Sequence, residues 1–212
     1  MDKHVIEKLK TYHEQHGIYS PDADENEIDR RCKGKKYSLT DHVRAMIYSM
    51  ISNQKEWSKI VPKLQQIDEL FFNYEVNKIK EKPGEYFSDG IFSLSCGSRS
   101  TAAQMKVLHH NIAVFERIIK EYGSLDAFVT SAPAYKIVEL LSSYNSPYKL
   151  KQIGVPLAWE YLRNVGIDGA KPDTHLKRFM GAGRLGVSQS DVATDKEVFD
   201  EVERLEIGRA HV

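Results

Sequence analysis

The sequence predicts an all-α fold of two helical lobes. Three observations carry that prediction. Apolar residues recur at three- and four-residue spacing through most of the 212 residues. The periodic stretches are bounded by helix-start and helix-stop residues, such as Ser38 and Asp41 before one run and Gly123 or Gly166 after others. No alternating run offers a credible strand pair, and no internal repeat or low-complexity tract is present.

The elements follow in order. Residues 2–16 fit a helix with Val5, Ile6, Leu9 and Tyr12 on one stripe, ended by Gly17. Asp22, Asp24, Glu25, Glu27 and Asp29 make an acidic stretch, with a short helix through Ile28. Residues 32–36 (CKGKK) form a basic turn, either a phosphate contact or a solvated loop. After Ser38, the residues Val43, Met46, Ile47, Met50 and Ile51 line a helix that ends near Gln54. Trp57, Ile60, Val61, Leu64, Ile67, Leu70 and Phe71 mark the next one. Residues 73–100 are the least legible, with turn signals at Pro83-Gly84 and Asp89-Gly90. Their aromatics, Tyr86, Phe87 and Phe92, together with Cys96 predict that the segment packs. One long helix is expected over 101–122, with Leu108, Ile112, Phe115 and Ile119 inward. His109 and His110 are adjacent, so their side chains diverge by about 100° and make poor joint ligands; both read as surface. Short helices follow from Ser124 and from Pro133, then a loop over 142–147. A last helix spans 195–205, with Val198, Phe199, Val202 and Leu205 inward.

Residues 148–186 organise the rest. They read as an approach helix, a tight turn at Ile153-Gly154-Val155, a second helix and a loop. Pro156 suits a first helical turn, where its missing N–H has no partner anyway. Leu157, Ala158, Tyr161, Leu162 and Val165 recur at helical spacing until Gly166. Asp173 is placed to cap the next helix, which carries Leu176, Phe179 and Met180. Free amides at the turn can hold a phosphate, with Lys149 and Lys151 beside them. The segment holds seven cations, Lys177 among them, against three anions, a local +4 in a chain of net charge +0. That contrast suits a nucleic-acid enzyme, and ordinary surface charge explains it equally well.

On these residues the chain resembles the HhH-GPD superfamily of base-excision DNA glycosylases, which includes endonuclease III-like enzymes and 3-methyladenine glycosylases. The matching positions are Leu150, Gln152-Ile153-Gly154 and Ala158, then residues 172–179 (PDTHLKRF) and 184–186 (RLG). Gln152 stands where the family's hairpin has its first glycine. The resemblance implies a helix-hairpin-helix over about 148–165 inside a lobe spanning 37–169. A second lobe would combine 1–36 with 171–205, and the substrate cleft would lie between the two. It implies hydrolysis of the N-glycosidic bond of a damaged or mispaired base in double-stranded DNA. Asp173 would be the catalytic carboxylate; its bland alternative is an N-cap worth about 1 kcal/mol. Lys149, Lys151, Gln152, Ile153, Gly154, Val155 and Lys177 would contact DNA. Gln54 would enter the duplex in place of the extruded nucleotide, or simply cap a helix. Trp57 would line a base pocket, since aromatic faces stack on flipped bases, or else sit in the core. His175 reads as a packed neighbour of Asp173.

Bifunctional members carry a lysine two residues before the alanine, where this chain has Pro156. A monofunctional hydrolase is therefore implied. The hairpin of the family also holds an alkali cation through backbone carbonyls. No other cofactor is expected, no metal-ligand set is legible, and the residues present do not support an iron–sulfur cluster. Two cysteines, Cys32 and Cys96, argue against a disulfide scaffold. No signal peptide or membrane-spanning run is legible, so a cytoplasmic monomer is expected, nucleoid-associated in a prokaryote. Residues 206–212 (EIGRAHV) match the translation of a common sequencing adapter and read as a non-native tail. The rival readings are a non-catalytic helix-hairpin-helix DNA-binding protein and a helical interaction domain carrying a chance motif.

Overall fold

The computed structural model describes residues 26–169, 172 and 174–210, and among them every regular element is helical. The helix expected over 2–16 lies outside the described residues. α1 (Glu27–Cys32) opens on Asn26, whose side chain accepts from the Asp29 amide at 3.0 Å. α2 (Leu39–Ile51) carries the capping box read from the sequence, with Ser38 and Asp41 satisfying each other's amides.

The helix expected from Trp57 onward is broken into α3 (Trp57–Ile60), a 3-10 turn (Val61–Lys63) and α4 (Leu64–Leu70). Pro62 is the cause, because it removes an amide and its ring crowds the preceding turn. A second 3-10 turn, Phe72–Tyr74, holds three consecutive residues at φ 54°, 50° and 64°. α5 (Val76–Lys80) and α6 (Gly84–Ser93) resolve the illegible segment. Ile79, Phe87, Ile91 and Cys96 are buried, and Phe87 stacks on Phe71 at 4.8 Å. The long helix expected over 101–122 is two, α7 (Thr101–Lys106) and α8 (Leu108–Tyr122), divided at Val107 (φ −101°, ψ 4°). The break lets α7 pack on α6 and α2 while α8 takes another course to α9 (Leu125–Val129). α10 (Ala134–Ser142), α11 (Val155–Asn164), α12 (Thr174–Phe179) and α13 (Asp195–Ala210) complete the order. α13 runs past the expected end at 205. No approach helix forms before α11: residues 143–154 are turns and extended chain, tied back by the Leu150 amide to the Leu141 carbonyl at 3.0 Å.

α2 is the centre. His42, Val43, Ala45, Met46, Ile47, Ser49, Met50 and Ile51 are all buried, so it is enclosed on more than one side. α11 packs along it, and α10 packs on α11. The larger core extends from Tyr37 to Val165. A smaller cluster of Met180, Ala193 and Val198 gathers Leu176, Leu185, Val187 and Val202. Phe199 of α13 joins the two by resting on Trp159 at 5.4 Å and Tyr135 at 6.4 Å.

α1 is fastened to the C-terminal end of α11. Arg31 Nε donates to the Val165 carbonyl at 2.8 Å, and its guanidinium pairs with Asp126 at 2.5 Å. Gly166 has φ 75°, and a Cβ there would lie 2.4 Å from the Glu27 carbonyl oxygen. Only glycine satisfies both the conformation and the contact. Beneath this junction His42 Nδ1 lies 2.7 Å from the Tyr161 hydroxyl. Its Nε2 is 3.8 Å from Asp126, too far for a hydrogen bond. Burial outweighs the attraction of Asp126 and pushes the His42 pKa down to about 4. Among the described residues no helix is long and apolar enough to cross a membrane.

Candidate functional site

The turn before α11 is built by packing from below and left open above. Leu150 and Ile153 are buried, while Lys151, Gln152 and Gly154 are exposed. Asn111 of α8 is fully buried and clamps the turn from inside. Its Nδ2 donates to the Lys151 carbonyl at 3.0 Å and its Oδ1 accepts from the Lys151 amide at 2.8 Å. Lys149 Nζ donates to the Ile153 carbonyl and closes the turn from the other side. Burial lowers the Lys149 pKa. Two carbonyls of the turn, those of Lys151 and Ile153, are thus engaged by the chain's own donors.

Gln152 has φ 59°, the left-handed region that favours glycine. Gln152 thus takes a glycine-like conformation in the turn before α11. Gly154 is the extended N-cap of α11 (φ −93°, ψ −179°), and its carbonyl accepts from the Leu157 and Ala158 amides at 3.1 and 2.9 Å. Among the described residues, the amides of Gln152, Gly154 and Val155 make no hydrogen bond. The unpaired Gly154 and Val155 amides at the start of a ten-residue helix, with the Gln152 amide in the turn before it, form a partial positive pole that suits an anion.

A cleft of about 760 Å³ adjoins the turn. One wall is Val107 and α8, through His110, Val114 and Arg117, and another is the loop carrying Tyr144, Ser146 and Pro147. Lys149, Lys151 and Arg117 line it, and no carboxylate does. Burial, then the charges of Lys151 and Arg117, lower the His110 pKa, so these groups feel one another across the space.

The other expected residues are scattered. Asp173 and Lys171 lie outside the described residues. The chain enters this region through buried Pro172, and α12 begins at Thr174, where the sequence places a helix start. Gln54 is exposed in the turn after α2, with φ 60°. Trp57 is not in the core: it is 42% exposed and rests edge-on against Tyr48 at 5.7 Å. Tyr48 is itself fixed, donating to Asp68 at 2.6 Å beside Tyr74, which donates to the same oxygen at 2.5 Å. Lys177 is paired with Asp195 of α13, so its charge ties α12 to α13. His175 is exposed instead of packed. The basic turn after α1 contributes structurally, since Lys35 pairs with Glu27 at 2.8 Å and lies 4.5 Å over the Tyr37 ring. His109 and His110 diverge as expected: His109 Nε2 sits 3.2 Å from the Ile79 carbonyl, and His110 faces the cleft. Among the described residues, no three His, Cys, Asp or Glu side chains gather where they could hold a metal.

Sequence reasoning missed Asn111, Arg117 and Tyr144. Asn111 had a signal, an amide between Leu108 and Ile112 on the apolar stripe of α8. Arg117 and Tyr144 had none, because only the fold brings them to the hairpin. No family model, no characterised protein and no solved structure matches the chain.

Proposed function

We propose that this chain is a DNA glycosylase of base-excision repair that hydrolyses the N-glycosidic bond of a damaged or mispaired base in double-stranded DNA. One observation supports the reading above others. The amides of Gln152, Gly154 and Val155 make no hydrogen bond among the described residues, in a turn that Asn111 braces from beneath through the Lys151 peptide. Such a turn grips a phosphate without reading sequence, which is what an enzyme searching for a lesion needs.

With the backbone held, the target nucleotide is extruded, at least cost where pairing is already weak. The C1′–N bond breaks and the base leaves with the electron pair. The positive charge left on the sugar is stabilised by the Asp173 carboxylate, which also orients the attacking water. Water adds at C1′ and its proton passes to the carboxylate. Pro156 lies in the first turn of α11 and offers no amine. Water is therefore the nucleophile, and the product is an intact abasic strand.

The test is a panel of duplexes, each with one lesion or mismatch, treated with protein and then with alkali. The expected result is strand breakage for at least one lesion, only after alkali. Asp173→Asn should lower that excision about 100-fold or more while binding the same duplex within about threefold. If every duplex is bound in a salt-dependent way and none is cut, the chain is a non-catalytic DNA-binding protein. A covalent adduct trapped with borohydride would overturn the monofunctional mechanism and direct attention to Lys151 or Lys171.

A further inference from the structure

We propose that the cleft beside the hairpin is a track for a single phosphodiester strand of nucleic acid, with Lys151, His110 and Arg117 along its phosphates and Tyr144 stacked on an unpaired base. The proposal rests on the DNA-binding reading of the hairpin and extends the contact surface beyond it.

Four features converge. Gln152, Ile153 and Gly154 of the turn themselves line the cleft, so the unpaired amides and the cleft adjoin. The cleft has a cationic lining with no carboxylate, and the charges of Lys151 and Arg117 reach His110 across it. Among the described residues neither Lys151 nor Arg117 forms an ion pair; Arg117 is instead aimed by one hydrogen bond to the Pro147 carbonyl at 2.8 Å. Such crowding is unfavourable until an anion enters. The polar lining is a stripe and not a point. His110 and Arg117 are two turns apart on α8, about 10 Å along its axis, more than one phosphate spans. Finally, Tyr144 is 94% exposed at the rim, with Lys149 Nζ 5.5 Å from its ring centroid. It has no packing role, and a tyrosine face of this kind accepts any base.

The test measures the full chain by fluorescence anisotropy against two labelled duplexes of one length, one fully paired and one with a central three-base bubble. Arg117→Ala with His110→Ala should weaken binding to both about tenfold at physiological salt and flatten the salt slope by about one. Arg117→Lys keeps a cation and should bind near wild type, which separates lost charge from lost folding. Tyr144→Ala should weaken the bubble duplex about tenfold and the paired duplex far less. Thymidine monophosphate should not compete at concentrations well above those of the duplex. The proposal falls if the double variant keeps both affinity and salt slope. It also falls if the mononucleotide competes as well as a strand, which would make the cleft a nucleotide pocket. Gly154→Ala separates the two readings: if it loses binding and the cleft variants do not, the hairpin stands and the track is wrong. If the wild-type chain binds neither duplex, both readings fall.

Discussion

Asn111 carries more of the site than any residue that would touch a ligand. A buried amide on an apolar stripe is costly unless both its donor and its acceptor are used, and here both are spent on the Lys151 peptide. Asn111→Ala leaves the part-buried Lys151 amide and carbonyl without their partner, at about 1–2 kcal/mol each. Urea unfolding should show a loss of about 2–4 kcal/mol, with DNA affinity falling as the turn loosens. His42 makes a second residue-level prediction. Its folded pKa of about 4 lies below the ordinary 6.5 expected of the unfolded chain. Between those values the unfolded state binds more protons, so stability is full above pH 6.5 and is lost as pH falls toward 4. From pH 7 to 4.5 the wild type should lose about 2 kcal/mol more than His42→Gln, read by urea unfolding at each pH. Glu27 and Asp41, whose pKa values are lowered by hydrogen bonds and nearby cations against the opposing effect of burial, add losses at lower pH that both proteins share.

At the scale of the element, α11 joins structure and binding, and its N-cap allows the two to be separated. Gly154 has an extended φ that any residue adopts, and a Cβ there would meet only Pro156 Cδ at 3.9 Å. Gly154→Ala should therefore fold with stability within about 0.5 kcal/mol of wild type. Its methyl would stand where a phosphate approaches the amides, so DNA affinity should fall about tenfold by anisotropy. Loss of stability instead would mean that the glycine is structural. Elsewhere the helices show how far periodicity reaches. Ser38 and Asp41, Ser124, Gly123 and Gly166 mark true boundaries, because caps and stops act through neighbouring backbone groups. The break at Val107 escaped notice, since the apolar spacing continues through it and tertiary packing alone redirects α8. Residues 73–100 were unreadable because their helices are five and ten residues long, too short to display a period.

For the molecule as a whole, the charge that matters is local. The net charge is zero, yet the hairpin and its cleft present Lys149, Lys151 and Arg117 on one face. The basic character read along residues 148–186 was partly illusory. Lys177 is spent on Asp195, while Arg117, outside that segment, arrives from α8.

The sequence alone determined the helical class, the start of α11, the glycine stop at Gly166 and the tight turn around Ile153-Gly154-Val155. All of these depend on groups a few residues apart. Only the tertiary structure decided that Asn111 braces the turn, that Arg117 and Tyr144 share its cleft, and that Trp57 faces solvent beside Tyr48. Those facts depend on which helix faces come together, and α8 meets the turn before α11 across the 40 residues of chain between Asn111 and Lys151. Local propensity does not encode that distance; the burial of two apolar faces against each other does.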